Sequence, residues 1–595
     1  MKHILTLAAI FLFSFVSFAQ ERTVSGKVTD ENSQPLPGVN IMIMGTSDGT
    51  TTDIDGNFKL SVNQDATLRF SFIGYNAEEV PVNGRSVIDI QLVPNFESLS
   101  EVVVVGYGST SKKELTGATA QVDGEKIEER NVPRVDQALQ GQLAGVNVST
   151  NSGAPGGSSN INIRGISTNG NSSPLIVVDG IIYESDGLNA LNPNDIESIN
   201  VLKDGTAGIY GVRAANGVII IETKKGKKNT KPTLNFSGYY GVQRTAKKLD
   251  LLNATEYATL KNEAFVAGNQ TPPFNNTNLG EGTDWQDLIF KDAPIQNYNL
   301  SVNGGTEKTT YNIGGSYFGQ EGIVGGSKAF FERYNARVNF TTEILPKLKL
   351  TNVLLYTNEY SKSIPQGGIG SVLYNATNAY PTEPLRTEGR YSYLDNVADI
   401  INPVAQLENT HNETMVNKLV GKQELTYDIT ENLSANARIG YSYALVDSKV
   451  FNPLVWYGTG KSQNSALNAN LDPTTTIIGD PVGGIIVERG ANVYEERTSY
   501  LDYLFEGFVN YKTTIGDFHN IKSTAGLSLN ETSFQSLSGT AFNIPNNSVD
   551  LADISTNQAV GGYLNQVNSA QNVDRLNSFF LRGEYDYAKR YLFSG

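Results

Sequence analysis

The chain has 595 residues, with 46 Lys and Arg against 61 Asp and Glu, a net charge of −15 and no cysteine. The acidic balance argues against nucleic acid, which needs clustered cations to replace phosphate counterions. The lack of cysteine excludes disulfides, thiolate chemistry, Cys-ligated metal and a lipid anchor on an N-terminal Cys. Charged residues are only 18% of the chain, and 29 Tyr and 25 Phe stand against two Trp. Aromatics alternating with small polar residues point to β-structure rather than helical bundles. At about 150 residues per domain, several domains are expected.

Residues 1–19 read as a secretory signal. Lys2 and His3 open it, Ile4 to Val16 forms an apolar core, and Ser17-Phe18-Ala19 supplies small residues before cleavage ahead of Gln20. That core is shorter than the about 20 residues of a membrane-spanning helix, and no later apolar run reaches that length. Removing the leader with Lys2 makes the net charge −16. The expectation is an exported, disulfide-free protein.

Residues 20–93 read as a small β-sandwich. Val24, Gly26 and Val28 alternate with polar neighbours, Pro35-Leu36-Pro37-Gly38 turns, and Val39, Ile41 and Ile43 alternate again. A second turn, Asp53-Ile54-Asp55-Gly56-Asn57, precedes Phe58, Leu60 and Val62 on one face, and Leu68, Phe70 and Phe72 mark the next strand. Short strands separated by turn signals indicate a sandwich. The Asp53, Asp55 and Gly56 group suggests a calcium loop, but an EF-hand needs an acid where Thr51 stands and a bidentate Glu where Val62 stands. A hairpin turn is the better reading.

Residues 94–112 form a linker around Glu101-Val102-Val103-Val104-Val105-Gly106-Tyr107-Gly108. Branching at Cβ makes the valine run strongly extended. Alone it would be a buried strand; between two folded regions it reads as a strand held out for a partner. A dinucleotide fingerprint fails, because Ser111 occupies the third glycine position and no convincing helix follows.

Residues 113–226 form a compact α/β segment. Pro133 and Gly145 bracket a helix with Val135, Ala138, Leu139 and Leu143 on one face. Ile161 to Ile163 and Leu175 to Val178 are strands, Asn192-Pro193 offers a capped helix start, and Ile199 to Lys203 is extended. Asp204-Gly205-Thr206-Ala207-Gly208-Ile209-Tyr210-Gly211 is a Gly-rich turn without the Gly-Lys-Ser/Thr ending of a P-loop. Val218 to Ile221 closes the segment.

From 227 to 595 the pattern is β alternation throughout. Leu234, Phe236 and Tyr240 begin it; Tyr311, Ile313 and Tyr317, then Tyr334, Ala336, Val338 and Phe340, continue it; Leu433 to Tyr441, Tyr503 to Tyr511 and Leu581 to Tyr587 repeat it. Short turns alternate with long polar stretches at 358–415 and 445–500. Strands of about ten residues with short turns on one side and long loops on the other are the signature of an outer-membrane barrel, which must close because lipid cannot satisfy an open edge. Plugged barrels have about 22 strands, and this region supplies about half, so the chain is expected to stop within the barrel.

The segment GKVTDENSQPLPGVNIMIMGTSDGTTTDIDGNFKL resembles the carboxypeptidase-regulatory-like, transthyretin-like domain family, an accessory fold without catalytic residues. EVVVVGYG, DQALQGQLAGVNV, INIRG, PLIVVDG and NPNDIESINVLKDGTAGIYGVRAANGVIIIETKKG resemble the SusC/RagA family of TonB-dependent outer-membrane transporters, over essentially the whole chain. Gly205 and Gly208 depart from the alanine or serine usual there, which should loosen that turn.

The resemblance implies a multidomain, mainly β protein of the outer membrane, with a periplasmic sandwich, an α/β plug at 113–226 and a transmembrane barrel. It implies that Glu101, Val102, Val103, Val104, Val105 and Gly106 are the TonB box, taken as an added strand by TonB and its inner-membrane motor. A SusD-like surface lipoprotein is the implied outer partner, with oligosaccharide or peptide cargo. In the plug, Arg164, Asp179, Lys203, Asp204 and Arg213 border apolar strands and are expected to pair with one another or with the barrel wall. No cofactor and no metal are expected. Only His3, His411 and His519 exist, without nucleophile-base spacing, so no enzyme is expected. The alternative is an exported β-rich adhesin, which would not need an α/β segment between sandwich and barrel.

Overall fold

The computed structural model describes residues 22–93, 102–111 and 117–595, apart from single positions and short stretches, the longest being 464–479 and 557–565. The leader expected at 1–19 and Glu101 lie outside the described residues. The chain divides into two compact units: one holds the N-terminal strands, the other comprises Val104–Gly108 and Leu115–Gly595.

The first unit is the expected sandwich. One sheet orders Asn57–Val62, Arg22–Thr29 and Ile90–Gln91; the other orders Gly49–Thr51, Asn40–Ile43, Thr67–Ser71 and Glu78–Pro81. Period-two alternation turns Val24, Ile41, Phe58, Leu68 and Phe70 inward, none more than 4% exposed. The Phe58 and Phe70 rings meet edge-on at 5.4 Å. The Asp53 loop is a hairpin turn: Asp53 Oδ1 accepts the N–H groups of Asp55 at 3.0 Å and Asn57 at 2.8 Å. The Asn57 amide, above all, holds this exposed carboxyl below its usual range.

The second unit contains an α/β domain built on a five-stranded sheet, in the order Thr119–Asp123, Ile196–Leu202, Val218–Thr223, Leu175–Val178, Ile181–Ile182. Leu175–Val178 and Val218–Thr223 run parallel. Val218, Ile219, Ile220 and Ile221 are all buried, which explains a continuous apolar run instead of alternation. The helix expected between Pro133 and Gly145 is only Val135–Leu139, because Gln140 leaves the helical region at ψ 120 and Gly141 follows at φ +73, turning the chain. Leu143 still reaches the core from beyond the helix end. The Asn192-Pro193 start yields one 3-10 turn, Pro193–Asp195, capped by Asn192. The Gly-rich turn is a 3-10 segment, Asp204–Ala214, kinked at Gly211.

Beyond it, eleven strands form one antiparallel sheet in chain order: Thr230–Gln243, Ala293–Gly305, Thr309–Gly322, Gly326–Leu345, Leu348–Ser363, His411–Asp428, Leu433–Asn452, Asn492–Ile515, His519–Phe542, Gln566–Tyr587 and Tyr591–Ser594. This barrel-type wall is open between its first and last strands. Connections at one end are the short turns 306–308, 346–347, 429–432, 516–518 and 588–590. At the other end lie the long 244–292, 364–410, 453–491 and 543–565, with 323–325 short among them.

Asn492–Ile515 and His519–Phe542 have 24 residues each, more than twice the expected ten. At about 3.4 Å per residue they outrun an apolar band about 25 Å tall. The polar stretches at 358–415 and 445–500 are therefore partly strand, since pairing continues beyond the apolar band.

Candidate functional site

The α/β domain packs against one face of the wall, and alternation sets the chemistry there. On Gly326–Leu345, Tyr334, Ala336, Val338 and Phe340 occupy one face, so Arg333, Asn335, Arg337 and Asn339 occupy the other. Arg333 donates to the Asn189 carbonyl and lies 5.5 Å from the Phe318 ring. Asn335 donates to the Ala190 carbonyl at 2.8 Å, and Thr357 reaches the same oxygen at 3.0 Å. Arg337 donates to the Lys224 carbonyl at 2.7 Å and pairs with Asp195 at 3.0 Å. Asn339 donates to the Thr223 hydroxyl at 2.7 Å. Arg333 and Arg337 are 1% and 2% exposed, so each depends on these partners.

A second cluster spans three further strands. Arg438 bridges Glu424 at 2.6 Å and Glu506 at 2.9 Å. The turn Asp179-Gly180 seats against it: Lys422 donates to the Asp179 carbonyl at 2.7 Å. Gly180 has φ +86, and a Cβ there would stand 2.9 Å from the Arg438 guanidinium. Only glycine allows both that backbone and that approach. Lys418 lies over the Tyr183 ring at 3.7 Å, a close cation–π contact.

The residues singled out from sequence fall in four places. Val102–Val105 is a strand that pairs with Gly108–Ser111, and Gly106, at φ +66, makes the turn between them. The valine side chains lie outside the described residues. Arg164 and Lys203 come together at the Ala144-Gly145 turn: Arg164 N–H donates to the Gly145 carbonyl at 2.8 Å, and Lys203 Nζ donates to the Ala144 carbonyl. Asp179 is buried at the wall, its carboxylate accepting the Thr223 N–H at 3.1 Å and the Thr223 hydroxyl at 2.6 Å. Arg213 is half-buried in the 3-10 segment that Asp204 opens, and the Asp204 side chain is outside the described residues.

The family model for the TonB-dependent Receptor Plug Domain matches residues 111–218, and that for the CarboxypepD_reg-like domain matches residues 24–105. The chain is 35% identical over 473 residues to the TonB-dependent receptor SusC of Bacteroides thetaiotaomicron, covering 74% of this chain and 46% of SusC. The RagAB peptide importer in its open-open state has the same fold, with a TM-score of 0.69 at 23% identity over 82% of this chain and 55% of that one. The chain belongs to the SusC/RagA family of TonB-dependent receptors. A further relative is TonB-dependent receptor P26 of Formosa agariphila, 32% identical over 579 residues, covering 96% of this chain and 55% of P26. The chain spans about half the length of the curated relatives it matches.

Sequence reading of this SusC/RagA-type receptor missed the wall's side of the interface. Arg333, Asn335, Arg337 and Asn339 were legible as the polar half of an alternation whose apolar half is plain. It also missed Arg134 and Asp136, a buried pair at 2.7 Å at the start of Val135–Leu139. There a charged pair sits in an apolar helical face, where an unpaired charge would be excluded.

Proposed function

We propose that this protein imports a nutrient of the oligosaccharide or peptide class across the outer membrane, driven by TonB. TonB grips Glu101–Gly106 as an added strand, main-chain hydrogen bonds carry the load, and pulling displaces part of the α/β domain from the wall. The sandwich is periplasmic, and a SusD-like lipoprotein covers the outer end. The observation that carries this reading is the seating of the plug. A folded domain is held to one face of a β-wall by polar contacts from alternate residues, while the opposite face exposes Ile313, Tyr334, Ile439 and Tyr503. A water-facing sheet would not expose such an array, whereas lipid favours it. Charged hydrogen bonds of the Arg337 kind can be exchanged for water, so such an interface can open and close again.

The test is deletion of 101–107 in the intact gene product. Uptake is expected to vanish while the protein stays in the outer membrane with unchanged heat-modifiable gel migration; continued uptake refutes the coupling role. Growth of a gene-deleted strain on single glycans and on peptides then assigns the cargo class.

A further inference from the structure

Tyr107 stands at the turn of the valine hairpin, next to Gly106, and its side chain enters the interface between plug and wall. Its hydroxyl donates to Glu506 Oε1 at 2.6 Å. Its ring lies flat on Phe580, with centroids 4.1 Å apart and planes at 12°, and Phe508 and Tyr210 flank it at 5.2 and 6.3 Å. The Arg438 guanidinium sits 5.9 Å from the same ring. One side chain thus touches the plug's 3-10 segment through Tyr210 and three wall strands through Arg438, Glu506 with Phe508, and Phe580. At its neighbour, a Cβ on Gly106 would come within 2.8 Å of Ile209, so the turn lies close against that segment. Burial, reinforced by the negative charge of Glu506, pushes the phenol well above its ordinary value, so it remains a donor across physiological pH.

We propose that Tyr107 is a latch that holds the turn of the TonB-box hairpin between plug and wall at rest and must be withdrawn before force reaches the plug. The proposal rests on the TonB-box reading above for its physiological meaning, though not for its geometry. Withdrawal breaks one hydrogen bond to a carboxylate and the ring stack, the two contacts that give this position both direction and strength. Glu506 stays paired with Arg438 when the ring leaves, so no naked charge is left behind. Arg438 also lies against Gly180, so release alters the surroundings of the guanidinium that seats the Asp179-Gly180 turn.

Because residues 1–595 contain no cysteine, Ile209→Cys, which lies against the Gly106 turn, gives a single reporter thiol in the intact protein once any cysteine beyond these residues is changed to Ser. Its labelling rate with a polar maleimide in isolated outer membranes reports how often the hairpin opens. Tyr107→Phe is expected to raise that rate about tenfold, the factor for losing one hydrogen bond to a charged group, and Glu506→Gln, which keeps an oxygen acceptor but loses its charge, by a smaller factor. Tyr107→Ala is expected to raise it about a hundredfold. Heat-modifiable migration checks that each variant folds, and a merely structural tyrosine would change that migration without changing labelling. Equal labelling in the parent, Tyr107→Phe and Glu506→Gln overturns the latch. Faster labelling together with continued uptake after deletion of 101–107 leaves the latch standing and removes the TonB reading.

Discussion

The sandwich and the wall are written in the same period-two code and read it in opposite senses. In the sandwich, Ile41, Leu68 and Phe70 are inside while Asn40 and Arg69 face water. In the wall, Ile313, Ile439 and Tyr503 are outside, while Arg333, Arg337 and Lys418 are almost wholly buried. Alternation specifies that two faces differ, and what lies beyond each face decides which one is hidden. Two apolar faces closing on each other make a sandwich. A single sheet that contacts a plug through its polar face turns its apolar face outward, the face that lipid would cover in the proposed membrane setting.

The largest test of this contrast is Arg337→Ala. It leaves Asp195 buried without its cation and is expected to cost about 3–5 kcal/mol of plug seating. The readout is the urea concentration at which the plug becomes protease-sensitive in outer-membrane vesicles. An unshifted midpoint would show that the polar ladder does not hold the plug. Next in size is a matched pair. Leu68→Ala in the sandwich is expected to cost about 2–5 kcal/mol through lost burial and the cavity left behind. Ile439→Ala on the wall should cost much less, because lipid tails are as apolar as the side chain and fill the gap. Denaturant midpoints of the two units compare them, and equal costs would mean that the outward face is packed against protein. The smallest effect belongs to Asp53. Its carboxyl titrates below its ordinary 3.8 in the folded hairpin, so its contribution is complete above that value and is lost as pH falls through the folded one. Exchange protection of the Asn57 amide should follow that acid limb, and an Asp53→Ala variant retaining the same limb would falsify the assignment.

Much of this was legible residue by residue. Asp53 is followed by Gly56 and Asn57 without the acid or glutamate of a calcium loop, and the hairpin turn is what formed. The alternation of Tyr334 to Phe340 marked a wall strand with one outward apolar face. Pro133 and Gly145 bracketed a helix that stops at Leu139, because Gln140 leaves the helical region and Gly141 adds a left-handed turn ahead of the one at Gly145, and a propensity signal cannot say which of two such glycines comes into play first. Strand lengths were underestimated, since backbone pairing continues where the side chains turn polar on both faces and the periodic signal disappears.

The sequence by itself determined the order of regions, the two-residue period of the strands, the extended valine run and the family, because each rests on neighbours a few residues apart or on a contiguous motif. The tertiary structure alone decided that Tyr107 finds Glu506, 399 residues away, and that Arg337 finds Asp195 across the plug boundary. Those contacts arise only after the wall has paired strand by strand and the plug has been placed against it. A buried charge is tolerated only where a partner is delivered, and local backbone preference does not encode which distant strand delivers it.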